Sequence, residues 1–178
     1  MVTGLSVFLR LATLNDCEFI FETRKDPERS LFLGGEPDSV PEQAAWLQRY
    51  FLRHLAGEEY YFVICDSLSG SPCGLLRLYE VQAEHCTWGS WVLIASRPSG
   101  AAIKSAYLSF EFVFNVLGLA STKLRVHKHN NRALYLYMLF GFEVSVDLIE
   151  EYEMILSSSK FFSQKEHWLS LLSGAGAI

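Results

Sequence analysis

Apolar residues along the chain switch repeatedly between helical spacing and strand alternation, and the switches fall at turn formers or helix caps. Residues 7–11 read as a first strand, and Asn15-Asp16 as the cap of a helix over 19–24. The run Leu33-Gly34-Gly35-Glu36-Pro37-Asp38 is a loop. Ser39 with Glu42 three residues on makes a capping box, opening a helix to about His54 with Pro41 tolerated in its first turn. From Glu59 the pattern changes. Residues 60–65 and 74–81 are rich in aromatic and branched side chains and flank the turn formers of 67–72, which predicts a β-hairpin. A third strand over 85–94 completes an antiparallel meander. Within it, alternation puts Trp88 and Ser90 on one face and Gly89 and Trp91 on the other, so at most one of these tryptophans faces any given site.

The second half continues with a helix over 101–116 closed by Gly118, a strand over 123–127 and a helix over 131–140 stopped by Gly141. Residues 142–148 and 152–156 form a closing pair of strands, and 161–172 a terminal helix before a soft tail. Phe161, Phe162, Trp168, Leu169 and Leu172 make that helix apolar on one side, for sealing the domain or for a dimer contact. No internal repeat or low-complexity linker interrupts the pattern, which predicts one domain over 1–178, with 158–178 as an added C-terminal helix and tail.

Between the third strand and the long helix lies Arg97-Pro98-Ser99-Gly100-Ala101-Ala102. A strand, a tight loop of small residues and a helix in that order present backbone N–H groups and a positive helix end to an anion.

Composition narrows the partners. With 178 residues, 50% of them hydrophobic and 14% aromatic, the chain has ample material for one core. Twenty acidic against fifteen basic residues give a net charge of −5 without any basic block, which argues against nucleic acid. Cys17, Cys65, Cys73 and Cys86 are widely spaced, so neither a disulfide framework nor a zinc site is expected. No apolar run reaches the roughly 18 residues of a membrane span, and Met1-Val2-Thr3-Gly4 does not open a leader. A soluble, cytoplasmic protein with a small-molecule partner, no metal and no membrane contact is the expectation.

The loop from Arg97 to Ala102 resembles the coenzyme-binding loop of the GNAT superfamily of N-acetyltransferases: Gln or Arg, two residues, Gly, one residue, then Gly or Ala. A second GNAT signature sets an Asn seven residues before a Tyr and eleven before Gly-Phe, and Asn130, Tyr137, Gly141 and Phe142 fall on all four places. The two motifs stand in the family's order, one helix and one strand apart. The resemblance implies a mixed α/β (α+β) fold: a central, mostly antiparallel sheet of six or seven strands flanked by helices and splayed at the strands before and after the coenzyme-binding helix. It also implies acetyl coenzyme A as co-substrate and direct transfer to an amine, in a monomer or homodimer.

Roles follow residue by residue from that resemblance. Gly100, Ala101 and Ala102 are small enough for close backbone approach to a pyrophosphate, with Ser99 and Arg97 adding a hydroxyl and a charge. The backbone at Leu93 and Ile94 would pair with the pantetheine arm, and Asn130 and Arg132 would hold the coenzyme at the start of the later helix. Tyr137 is the acid for the leaving thiolate, although Leu134, Met138 and Gly141 at helical spacings suit a packing role as well. Tyr135 points to another face of the helix.

The amine side is less determined. Residues 86–93 contain no carboxylate, so Glu80, Glu84, His85 and His129 are the candidate bases. Arg24-Lys25-Asp26-Pro27 with Gln43 and Trp46 resembles the subgroup of ribosomal-protein N-terminal acetyltransferases and amino-sugar acetyltransferases. Arg24, Trp46, Trp88 and Ser90 are accordingly candidate acceptor contacts, and Trp88, Trp91, Tyr79 and Phe32 either line an acceptor pocket or fill the sheet's core. The expected acceptor is a primary amine on a small molecule such as a nucleotide-linked amino sugar, with a protein N-terminus next. A coenzyme-binding module without catalysis is the reading of another class: the missing carboxylate favours it and Tyr137 opposes it.

Overall fold

The computed structural model describes residues 5–26 and 38–174. The chain runs β1 (Val7–Leu11), α1 (Cys17–Lys25), α2 (Val40–Leu55), β2 (Tyr60–Asp66), β3 (Pro72–Tyr79) and β4 (His85–Leu93), then α3 (Ala101–Glu111) and β5 (Ser121–His127). It continues with α4 (Asn131–Leu139), β6 (Glu143–Asp147), β7 (Glu151–Ser157), α5 (Ser158–Ser163) and α6 (Lys165–Gly174). The strands make one seven-stranded sheet in the order β1-β2-β3-β4-β5-β7-β6, and every neighbouring pair is antiparallel except β4 and β5. This is the mixed, mostly antiparallel architecture that the motifs imply.

Alternation along the strands sends apolar side chains into two cores. One face packs Tyr61, Val63, Leu75 and Val92 against Ile20 of α1 and Leu47 and Tyr50 of α2. The other packs Ile64, Leu76, Leu78, Cys86, Trp88, Leu124 and Leu156 against Ala106 and Phe110 of α3 and Trp168 of α6. All four cysteines are free and buried in these cores.

The helix boundaries show where local chemistry modified the pattern. Ser39 caps α2 by accepting from the Glu42 amide, while Glu42 reaches back to the amide of Asp38 and not to that of Ser39. Asp16 stands at the N-cap of α1 but spends its carboxylate elsewhere, on Arg10 at 2.6 Å and on the amide and hydroxyl of Thr13. A 3-10 turn over Leu14–Asp16 therefore precedes the helix. The final turn before Gly118 widens into a π-helix over Phe112–Val116. The terminal segment is two helices broken at Gln164, whose side chain lies where a Cβ at Gly141 would project. Phe161, Trp168 and Leu172 of this segment are buried, so it seals the core of α3.

Two departures shape the middle of the sheet. β3 stops at Tyr79, short of Val81, because Glu80 turns into the left-handed region at φ 51°. β4 carries a bulge: Leu75 faces Val92 and Arg77 faces Gly89, leaving Ser90 and Trp91 opposite the single residue Leu76. Ser90 takes up the extra length at φ 47°. The inserted residue restores Trp91 to the face of Trp88, with ring centroids 5.2 Å apart, whereas simple alternation separates them.

The parallel pair is the other special feature. β4 and β5 bond only from His85–Thr87 to Ser121–Lys123, and beyond Thr87 they diverge into the expected splay. Its closed end is pinned by the Glu84 carbonyl, which accepts from the amides of Ala120 and Ser121.

Candidate functional site

Tyr137 sits at the splay on the side of α3 and α4. Its ring is 5.7 Å from that of Trp88, 6.3 Å from Trp91 and 5.9 Å from Phe142, centroid to centroid. Its hydroxyl makes no hydrogen bond among the described residues, and burial alone pushes the phenol far above its ordinary range. Such a group stays protonated at neutral pH and has a proton to give. Tyr135, by contrast, is 68% exposed and contributes nothing here.

Two tryptophans build the dry wall. Trp88 is buried and donates its indole N–H to Ser109 Oγ at 2.8 Å, and Trp91 donates to Ser105 Oγ at 3.2 Å. Both anchor β4 to α3, and Trp88 fills the core between them. Ser90, expected beside it, is the bulge residue and sets the geometry of β4 through its backbone.

The loop from Arg97 to Ala102 leads from β4 into α3 and has Gly100 at the N-cap with φ 71°, a conformation that suits glycine. Gly100 carries no side chain to cap the first-turn amides, and Ala101 and Ala102 keep that turn small. Arg97 donates to the Ile94 carbonyl at 3.1 Å and folds over the end of β4, and Leu93 and Ile94 are half-buried there. Ser6, ahead of β1, ties the loop down by donating to the Ser99 carbonyl, and Lys104 donates to Ser6. Asn130 caps α4 by accepting from the Ala133 amide at 3.2 Å, and Arg132, two residues on, is exposed. Two helix N-termini thus flank the open end of the splay.

On the opposite face of the sheet the chemistry is ionic. Glu59, only 3% exposed, is held by Arg53 at 2.5 Å and by Arg77 at 2.6 Å. Arg77 lies over three rings, at 4.7 Å from Trp46, 5.0 Å from Tyr79 and 5.7 Å from Tyr61. Burial pushes the Tyr61 phenol up, and the guanidinium groups of Arg24 and Arg77 oppose that rise. Arg24 and Trp46, expected at the acceptor, therefore meet at one cluster. Tyr79 covers Gly89, where a Cβ would stand 3.2 Å from its ring. Pro27 and Phe32, the remaining acceptor candidates, lie outside the described residues.

Sequence reading missed Glu59, Arg53, Arg77 and Thr87. One signal was present: Arg77 is the single charge within the apolar strand 74–79, and a guanidinium in such a place needs a carboxylate partner. Of the candidate bases, Glu80 accepts from the Thr87 hydroxyl at 2.7 Å beside the vertex of the splay. Glu84 and His85 sit behind the vertex, at the closed end. His129 is exposed on the turn into α4, with its amide donating to His127 Nδ1. A cavity of about 480 Å³ lies away from all of this, at β6, β7 and α5, lined among others by Glu143, Ile155 and Lys160. Among the described residues no cluster of His, Cys, Asp or Glu suits a metal ion, and no helix is long and apolar enough to cross a membrane.

Comparison with known proteins agrees with this geometry. Residues 6–143 match the Acetyltransferase (GNAT) domain family. Spermidine N(1)-acetyltransferase of Escherichia coli (strain K12) is 31% identical over 101 residues, which are 56% of this chain and 53% of that protein, so the match spans about half of each. The apo structure of FdhC, a nucleotide-linked sugar GNAT, superimposes with a TM-score of 0.86 at 30% identity, covering 96% of this chain and 99% of that one. Spermidine N-acetyltransferase from Vibrio cholerae in complex with CoA and spermine shares the fold, with a TM-score of 0.75 at 20% identity over 88% of this chain and 98% of that one. The chain belongs to the GNAT family of acetyltransferases.

Proposed function

We propose that the protein moves the acetyl group of acetyl coenzyme A directly onto the primary amine of a nucleotide-linked amino sugar. The observation that carries the reading is the composition of the face opposite Tyr137: two guanidinium groups share one buried carboxylate, and Trp46, Tyr61 and Tyr79 surround them. A surplus of fixed positive charge among aromatic rings suits a diphosphate joined to a sugar and a base, and repels a polyamine. The near full-length likeness to a nucleotide-linked sugar GNAT supports the same acceptor class.

In this reading the first turn of α3 and the loop from Arg97 bind the coenzyme's pyrophosphate, and the free edge of β4 at Leu93 and Ile94 pairs with the pantetheine arm. The thioester then lies in the splay. The amine attacks from the face of Arg77 and Tyr79, while Tyr137 gives its proton to the departing thiolate from the other face. Release of thiol from acetyl coenzyme A tests the reading, with UDP-glucosamine, free glucosamine and spermidine as acceptors. The expected result is a kcat/KM for UDP-glucosamine about 100-fold above that for spermidine, equivalent to about 2.7 kcal/mol. Preference for spermidine would replace the acceptor class, and no turnover with any amine would leave a coenzyme-binding module.

A further inference from the structure

The attacking amine must lose a proton, and residues 86–93 of β4 provide neither carboxylate nor imidazole for it. They provide Thr87. It is the last residue of β4 bonded to β5, and it stands on the face opposite Trp88 and hence opposite Tyr137. Its neighbours on that face are Tyr79, its partner across the β3–β4 ladder, and Gly89, against which the Tyr79 ring lies. The absence of a side chain at Gly89 lets the Tyr79 ring pack against the strand beside Thr87, where a Cβ would stand 3.2 Å from that ring.

That hydroxyl is already aimed. Thr87 Oγ1 donates to Glu80 Oε2 at 2.7 Å, within the range of a charge-assisted bond. Glu80 reaches it from a left-handed backbone at φ 51°, a conformation disfavoured for a side chain with a Cβ. Among the described residues only Ser90, the bulge beside the same site, shares a positive φ without being glycine. Strained backbone held at two places around one site points to a geometry set for use. Glu80 is exposed, so a proton received there passes to solvent.

We propose that Thr87 and Glu80 form the proton-accepting relay of the transfer, on the side of the thioester opposite the acid. This deepens the N-acetyltransferase reading above and rests on it. As nitrogen bonds to the thioester carbon, its N–H bond breaks and the proton passes to Thr87 Oγ1, while the hydroxyl's own proton passes to Glu80. The C–S bond breaks and the thiolate takes the Tyr137 proton. Glu80 then releases one proton to solvent and Tyr137 recovers one, so the sum is amine plus thioester giving amide plus thiol. Thr87 touches the amine. Glu80 acts through it, as a positioning and proton-holding residue. Charged and titratable groups around the pair include Lys123, opposite Thr87 in the parallel ladder, His85, two residues before Thr87 on the same face of β4, and Tyr79, whose half-buried phenol feels the charges of Arg77, Glu80, Arg125 and Glu59.

The test is steady-state kinetics of Glu80→Gln, Thr87→Val, Thr87→Ser and the double variant Glu80→Gln/Thr87→Val. Each is run with acetyl coenzyme A and whichever of UDP-glucosamine, glucosamine or spermidine the natural enzyme acetylates fastest. Glu80→Gln and Thr87→Val should each lower kcat about 100-fold near pH 7. The double variant should be no worse than either single one, and Thr87→Ser should keep most of the activity. The Kd for acetyl coenzyme A should stay within about twofold, and the deficit of Glu80→Gln should shrink as pH rises and hydroxide replaces the carboxylate. Natural kcat in Glu80→Gln or Thr87→Val would overturn the relay, as would a deficit that is the same at every pH and is matched in coenzyme Kd. If the natural enzyme acetylates no amine, the N-acetyltransferase reading itself fails.

Discussion

The two faces of the splay differ in almost every physical respect, although the same strand supplies both. On the side of α3, Trp88, Trp91 and Phe142 close around Tyr137 and hold no charge near it. On the side of α1 and α2, Glu59 is clamped by Arg53 and Arg77, and Arg77 is stacked on three rings. Desolvation keeps a buried phenol protonated, whereas the proposed anionic acceptor would need fixed charges in reach of water. Placing the two on opposite faces lets each environment be tuned without spoiling the other. The bulge at Ser90 makes the division, because without it Trp91 would stand on the face of Arg77.

Substitutions can break this comparison one side at a time. The largest effect is expected from Gly100→Glu, which puts a carboxylate at the proposed pyrophosphate site and a Cβ at φ 71°. The Kd for acetyl coenzyme A should rise at least about 100-fold in a titration, since the helix end favours one anion and two repel. Next, Tyr137→Phe keeps the ring packing and removes the proton, so kcat should fall about 100-fold with coenzyme Kd unchanged. Because burial raises the Tyr137 phenol, the natural enzyme should show no alkaline limb in kcat below the ordinary phenol range of about pH 10. A smaller loss belongs to the ionic face. Glu59→Gln leaves Arg53 and Arg77 without their shared carboxylate, and urea unfolding should report about 2 kcal/mol less stability, a cost moderated by the partial exposure of both arginines. Its acceptor KM should change while the acid step is spared.

The sequence revealed much of this and concealed the rest for definite reasons. Strand and helix order and the Gly100 turn were legible because they depend on local spacing, such as a left-handed glycine before a helix, whereas Tyr137 stood out only through the signature it shares with the family. The two faces of β4 were not. Period-two counting carries no mark of an inserted residue, so the bulge at Ser90 reversed the expected sides of Trp91 and of the residues after it. The Glu59–Arg77 pair spans eighteen positions across a hairpin, and the Glu80–Thr87 bond depends on a left-handed turn that no glycine announces. Nor did the apolar side of the terminal segment show its partner, because its contacts, such as that of Gln164 with Gly141, join positions far apart in the chain.

The most direct test of the two-faced splay is a crystal structure with coenzyme A bound. The account predicts the pantetheine arm along the free edge of β4 and the sulfur within about 3.5 Å of the Tyr137 hydroxyl, with Thr87 and Gly89 on the far side of the sulfur. A sulfur remote from Tyr137, or one with Tyr137 and Thr87 on the same side, would contradict it.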